Sequence, residues 1–232
     1  YLLNAANKAC AKIILVGDPD QLKPINKGEI FRGIIARTGY IELDNIRRQL
    51  DPGDAKASLL LANGRIAEAI QHYSEKSAIH FSNDPHDAST KMVEAWSVSL
   101  ADAASMKEHV MLAFTRAAVS ELNEKARVLM QSSGRIYTEN FSYFSENGEK
   151  PIDLAQGERI LLRQNDKAMG VRNGDLATIT AIDGNHFTAT LDSGETVIIP
   201  KSYKFIEYGY ALTVHKSQGM TVDNASVLID ST

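Results

Sequence analysis

The chain has 232 residues, of which 44% are hydrophobic and 23% are charged, and its formal net charge is −4. This composition suits one large or two small soluble domains, and no apolar run approaches the ~18 residues of a membrane span. The single cysteine, Cys10, excludes an internal disulfide framework of the secreted kind. A surface that coats nucleic acid is commonly basic, so any nucleic-acid site in this acidic chain must be local. We therefore expect a cytoplasmic protein with no place in a membrane.

The first half of the chain is predicted to alternate helices with buried strands. The apolar runs IILVGD (13–18) and HVMLAF (109–114) are typical of parallel strands that present a loop at their carboxyl ends. Thr115 stands where it can cap the helix that follows, to about residue 130. Apolar spacing predicts further helices over 2–10, 27–37 and 86–105, and a pair around the turn Asn63-Gly64 within 54–74.

After about residue 133 the pattern changes to short alternating strands. The segments LATITAI, HFTATLD and ETVIIP are separated by the turn signals Asn173-Gly174, Asp183-Gly184-Asn185 and Asp192-Ser193-Gly194. This spacing predicts a small β-barrel or meander. Residues 209–219 then read as strand, loop and helix start, and 225–229 as one more strand. The β module is therefore an insertion between pieces of an α/β domain.

A first motif, Gly17-Asp18-Pro19-Asp20-Gln21-Leu22-Lys23-Pro24, follows the first predicted strand. It presents the amide of Gln21 at the carboxyl edge of a sheet, where open α/β sheets bind ligands. A neutral amide can donate to a phosphate oxygen and accept from an attacking water. The alternative is a plain strand-to-helix turn with a solvated Gln21.

A second motif is Ile46-Arg47-Arg48-Gln49. The planar fork of an arginine grips phosphate with two hydrogen bonds and stays charged, which suits Arg48 to contact with a γ-phosphate. The alternative is that Arg47 and Arg48 are a solvated surface pair, which an arginine pair alone does not exclude. The spacing of this segment after the first motif favours the phosphate contact.

The third motif covers residues 210–221 and is the most specific. Gly219 would let the main chain approach a phosphate backbone closely. The alternative is the polar N-cap region of a helix. Five polar side chains that suit phosphate and sugar contacts follow the apolar strand: Thr213, His215, Lys216, Ser217 and Gln218.

In their order and residues, these segments resemble motifs III, IV and V of RecD-type superfamily 1 DNA helicases, most closely the helicase part of TraA/MobA-type conjugative relaxases. The resemblance implies an α/β, RecA-like P-loop helicase fold with an inserted SH3-like β-barrel. It implies residues 1–45 as part of a first RecA-like domain, 46–165 and 208–232 as the second, and 166–207 as the barrel.

The resemblance also implies ATP-driven 5′-to-3′ translocation on single-stranded DNA during conjugative transfer, with ATP and Mg²⁺ as cofactors of the intact enzyme. The residues that it implies are, for catalysis, Gln21 and Arg48; for nucleotide binding, Gly17, Asp18, Gln21, Arg48 and Gly219; and for DNA binding, Thr213, His215, Lys216, Ser217 and Gln218. No metal site is expected, because His80, His86 and His109 have no ligand spacing with Cys10.

Parts of the family pattern are not found in these residues. The sequence has no G-x-x-x-x-G-K-[ST] loop, no Asp-Glu pair ahead of residue 12 and no motif VI arginine. With Tyr1 rather than Met at the start, this predicts a segment between motifs II and VI, whose partner is an N-terminal portion with the relaxase and the phosphate-binding loop. Alone it is expected to retain neither ATP nor Mg²⁺ and to be inactive. The alternative is a catalytically inactive remnant that binds DNA or protein.

Overall fold

A computed structural model describes residues 1–19, 30–41, 49–100, 106–139, 141–144 and 151–229. The chain divides into two compact units, Tyr1–His80 and Phe81–Thr232. No helix among the described residues is both long and apolar enough to cross a membrane. The three domain boundaries expected from the sequence stay a prediction.

The first unit is helical in its described part, with the helices α1 (Leu2–Lys8), α2 (Ile30–Thr38), α3 (Pro52–Ala62) and α4 (Ile66–Glu75). Asp51 caps α3 by accepting hydrogen bonds from the backbone nitrogens of Gly53 and Asp54, and Pro52 occupies the first turn, where its missing N–H costs nothing. Gly64, at φ +72°, turns the chain between α3 and α4, as the sequence predicts.

The buried strand predicted over IILVGD is wrong. Residues 11–18 have no strand hydrogen bonding, and Ile14 and Val16 are 78% and 88% exposed. A parallel strand is stable only when neighbouring strands hydrogen-bond to it and helices cover its faces. The described residues of this unit contain no strand that could pair with it, so apolar composition alone does not produce one.

The second unit contains a parallel three-stranded sheet in the order β10-β1-β9. The strands are β1 (His109–Ala113), β9 (Ala211–Thr213) and β10 (Asn224–Leu228). Helices α5 (Pro85–Ser99) and α6 (Arg116–Ser132) share a core with β1 in which Trp96, Met111, Leu122 and Met130 are buried. Thr115 caps α6 by accepting from the backbone nitrogen of Ala118, which confirms the predicted strand, cap and helix. The sequence-predicted helix start after residue 213 is instead a series of turns.

The described strands of the β module are β2 (Phe141–Tyr143), β3 (Ile152–Leu154), β4 (Arg159–Leu162), β5 (Leu176–Ile182), β6 (His186–Leu191), β7 (Thr196–Pro200) and β8 (Ile206–Tyr208). They form an open antiparallel sheet in the order β7-β6-β5-β4-β8, beside a two-stranded β2-β3 pair. Phe187 lies at the centre of its core, with Phe141 and Tyr143 edge-on to it. The described strands do not form the predicted closed barrel, since no hydrogen bonds join β7 to β8 and β4 shares only a short register with β8.

Candidate nucleic-acid interface

The carboxyl ends of β1 and β9 lie side by side. Ala113 is in register with Thr213, and the backbone nitrogen of Val214 donates to the carbonyl of Ala113 at 3.1 Å. Beyond these ends lie the N-terminus of α6 and residues 213–219, here called the edge loop. Loops at the carboxyl edge of a parallel sheet are where α/β domains bind ligands. The third sequence motif therefore occupies the position at which this fold presents binding groups.

Hydrogen bonds within the edge loop give it a defined shape. The carbonyl of Thr213 accepts from the backbone nitrogens of Lys216 and Ser217 at 2.9 and 3.1 Å, and the hydroxyl of Ser217 donates to the carbonyl of Val214 at 3.0 Å. Gly219 has φ +87°, a conformation that favours glycine. The loop is therefore a tight turn held largely by its own backbone.

The five side chains predicted to bind DNA differ in exposure. His215, Lys216 and Gln218 are exposed, so a ligand can reach them, while Thr213 and Ser217 are half-buried. The hydroxyl of Thr213 accepts from the backbone nitrogen of Lys216 at 3.3 Å, so this side chain caps the turn. The geometry thus separates three accessible groups from two that stabilise the loop. Their assignment to DNA remains a prediction.

Lys216 lies beside charged residues that the sequence did not single out. Its Nζ is 3.4 Å from Oε2 of Glu207, whose Oε1 accepts a 2.6 Å hydrogen bond from Nη1 of Arg163. Partial burial lowers the pKa of Lys216, Glu207 acts to raise it, and the positive charges of Arg163 and Arg116 lower it further. Sequence reasoning missed Arg163 and Glu207 because they meet only through the pairing of β4 with β8. The one available signal was that Arg163 directly follows the buried strand RILL.

Below the loop, buried polar groups connect the start of β9 to α6 and to Glu158, which directly precedes β4. Asn123 in α6 bonds to the backbone of Tyr210 and Ala211. The Tyr210 hydroxyl donates to Oε1 of Glu158 at 2.6 Å, and Nε of Arg127 donates to Oε2 of the same carboxylate at 3.0 Å. Burial raises the pKa of Glu158, which is fully buried, and raises that of Tyr210. The start of β9 is thereby fixed from two sides.

The residues predicted to bind nucleotide fall in different parts of the chain. Gln21 and Arg48 lie outside the described residues. Gly17 and Asp18 are exposed in the first unit, where a side chain at Gly17 would meet the ring of Phe31 at 3.2 Å. Gly219 belongs to the edge loop of the second unit. The nucleotide assignment therefore stays a prediction.

A carboxylate–histidine group in the first unit has the spacing of metal ligands. It consists of Asp51, Asp54 and His72. However, Nζ of Lys76 lies 2.8 Å from Asp54 and 3.5 Å from Asp51, and His72 lies 2.8 Å from Asp54. The lysine ammonium already supplies the positive charge that these carboxylates face. We therefore assign this group to the packing of α3 against α4.

Comparisons with known proteins relate the chain to helicases. A family described as an AAA domain matches residues 1–84. The conjugal transfer protein TraA of Rhizobium radiobacter is 34% identical over 230 residues, which cover 97% of this chain and 20% of that protein. The RecBCD enzyme subunit RecD of Mycolicibacterium smegmatis is 25% identical over 241 residues, covering 95% of this chain and 40% of that protein.

Solved structures of Pif1 have a fold similar to that of this chain. The crystal structure of Bacteroides Pif1 bound to ssDNA matches with a TM-score of 0.61 at 20% identity, covering 94% of this chain and 56% of that one. Pif1 in complex with ADP-AlF3 and ssDNA matches with a TM-score of 0.58 at 22% identity, covering 93% and 56%. The chain thus has an α/β helicase fold, and it spans one fifth of the length of its TraA relative.

Proposed function

We propose that this chain, which is related to the RecD-type superfamily 1 helicases, supplies the single-stranded DNA contacts of an ATP-dependent 5′-to-3′ translocase in conjugative DNA transfer. The observation that carries the proposal is the edge loop: His215, Lys216 and Gln218 are exposed together at the carboxyl edge of the parallel sheet. In the intact enzyme, ATP and Mg²⁺ would drive movement. Gln21 and Arg48 would sense the nucleotide, and Gly17, Asp18 and Gly219 are the further residues that we propose for nucleotide binding.

The chemistry of the edge loop favours contact with the DNA backbone over contact with bases. Its exposed groups include a cation and side-chain donors, which suit phosphate and sugar oxygens and carry no base code. Binding should therefore be nearly independent of sequence and should weaken with salt. Such binding is what a protein that moves along any strand requires.

Fluorescence anisotropy of the 232-residue chain with a labelled dT oligonucleotide tests this proposal. Lys216→Ala should weaken binding to every sequence alike and reduce the slope of log affinity against log salt by about one unit. Lys91→Ala removes the same charge from α5 and serves as the matched control. If Lys216→Ala and Gln218→Ala together leave affinity and slope unchanged, the loop is a structural cap and the proposal is wrong.

A further inference from the structure

Glu207 sits between two cations that come from different parts of the fold. Arg163 follows β4, Lys216 lies in the edge loop, and each reaches a different oxygen of the Glu207 carboxylate in β8. The Arg163 contact is short at 2.6 Å, while the Lys216 contact is long at 3.4 Å. Among the described residues, the guanidinium of Arg163 meets this carboxylate through only one nitrogen. Its remaining N–H groups can still donate hydrogen bonds to a ligand.

The charges around Lys216 do not balance, because positive charges outnumber negative ones there. Around Lys216 lie two further cations, Arg163 and Arg116, and the carboxylate of Glu207, which gives a local excess of positive charge in a chain of net charge −4. The side chains of Lys216, Arg163 and Glu207 are 35%, 30% and 45% exposed, so water and a ligand can reach all three. Exposed ion pairs of this kind contribute little to stability, and a competing anion can displace them.

We propose that Arg163 and Lys216 together bind one phosphate of single-stranded DNA. When DNA is not bound, the carboxylate of Glu207 contacts these two cations in place of the phosphate. This inference rests on the proposed function of the edge loop. A phosphate has the tetrahedral array of oxygens that can engage the arginine fork and the lysine ammonium at once. Arg163 is then a DNA-binding residue contributed by the β module. Glu207 competes with the DNA phosphate for Arg163 and Lys216.

The two substitutions that test the inference change affinity in opposite directions. Glu207→Gln keeps the size and hydrogen-bonding capacity of the side chain but removes the competing charge. It should tighten binding of the labelled dT oligonucleotide by about two- to fivefold, the range of an exposed charge pair. Loss of folded protein would weaken binding, so tighter binding by Glu207→Gln can be interpreted without a separate measurement of its folding. Glu195→Gln, an exposed glutamate between β6 and β7, removes the same charge elsewhere on the sheet and should leave affinity unchanged.

Arg163→Gln should weaken binding and reduce the salt slope by up to about one unit, because the shared phosphate loses one of its two cationic contacts. Arg163→Lys should retain most of the slope. The inference is wrong if Glu207→Gln does not bind more tightly, or if Arg163→Gln leaves affinity and slope unchanged while Lys216→Ala and Gln218→Ala still weaken binding. In that case the edge loop remains the DNA site without Arg163. If the unsubstituted chain shows no salt-dependent binding, both proposals fail.

Discussion

The side chain of Asn123 pairs with both backbone groups of Ala211, as a neighbouring strand would. Its Nδ2 donates to the carbonyl of Ala211 at 3.2 Å, and its Oδ1 accepts from the backbone nitrogens of Ala211 and Tyr210 at 2.8 and 3.0 Å. Ala211 begins β9, an end strand of the described sheet, and β9 leads directly into the edge loop. A single buried amide in α6 therefore fixes the strand that positions the proposed DNA contacts.

Replacing Asn123 with Ala should lower the free energy of unfolding by about 2 kcal/mol, because buried backbone groups of β9 lose their partners. Urea unfolding followed by circular dichroism measures this change. Asn224→Ala, at an exposed position of β10, is the control and should stay within about 0.5 kcal/mol of the unsubstituted chain. Equal stabilities for the two variants would mean that the amide does not hold the strand.

Glu158 forms the second anchor of β9. Its carboxylate is fully buried and accepts from the Tyr210 hydroxyl and from Arg127, whose side chain is 11% exposed. Glu158→Gln removes the charge that the Arg127 guanidinium faces, and we expect a loss of about 3 kcal/mol in the free energy of unfolding. Tyr210→Phe breaks only the hydroxyl contact and should cost less, about 1 to 2 kcal/mol. Urea titrations of both variants test this order, and a larger loss for Tyr210→Phe contradicts it.

Local patterns in the sequence were enough to predict the helices and strands around the site. The spacing of Trp96 and Leu100, the apolar run before Phe114 and the cap at Thr115 all depend on neighbouring residues, and the structure has α5, β1 and α6 there. The run at 13–18 is apolar like β1 but has no described strand to pair with, so its apolar character alone gave a wrong prediction. An apolar run becomes a strand only when tertiary partners hydrogen-bond to it.

The contacts that shape the candidate site were not predictable in the same way. Asn123 bonds to backbone 88 residues away, and Arg163 meets a glutamate 44 residues away. No periodicity or spacing encodes such pairs, because they depend on how β4, β8 and β9 are arranged. The motif predicted which loop would be exposed but not which charges would surround it.

Gln21 and Arg48 lead to a prediction about ATP hydrolysis. The 232 residues contain no G-x-x-x-x-G-K-[ST] loop, so we expect no measurable hydrolysis by this chain alone, with or without DNA. In a longer protein that joins the chain to such a loop, Arg48→Ala should lower kcat by about tenfold or more, since it removes charge stabilisation of the transferred phosphate. Gln21→Ala should also lower kcat. A coupled ATPase assay measures both, and unsubstituted turnover in the variants would remove these residues from the active site.

Glu121 should make the packing of α5 against α6 depend on pH. The ammonium of Lys125, at 2.8 Å, and the hydroxyl of Ser89, at 2.7 Å, lower the pKa of this carboxyl from 4.5 to about 2. A carboxyl whose pKa is lower in the folded state stabilises the fold above its ordinary pKa, and this contribution is lost as pH falls from 4.5 towards about 2. Because the side chain is 42% exposed, solvent screening limits the contribution to about 1 kcal/mol or less.

At pH 6 the free energy of unfolding of Glu121→Gln should therefore be lower than that of the unsubstituted chain by nearly the whole contribution of the Glu121 charge. This difference should shrink steadily below pH 4.5. Urea unfolding at a series of pH values between about 3 and 7 measures it, over the range where linkage acts on this group. Glu124→Gln, an exposed glutamate on the same helix, is the matched control and should stay within about 0.5 kcal/mol at every pH. The expected result is contradicted if the two free energies of unfolding differ by the same amount at every pH. The Glu121 side chain would then act through its shape and hydrogen bonds, and its charge would not couple α5 to α6.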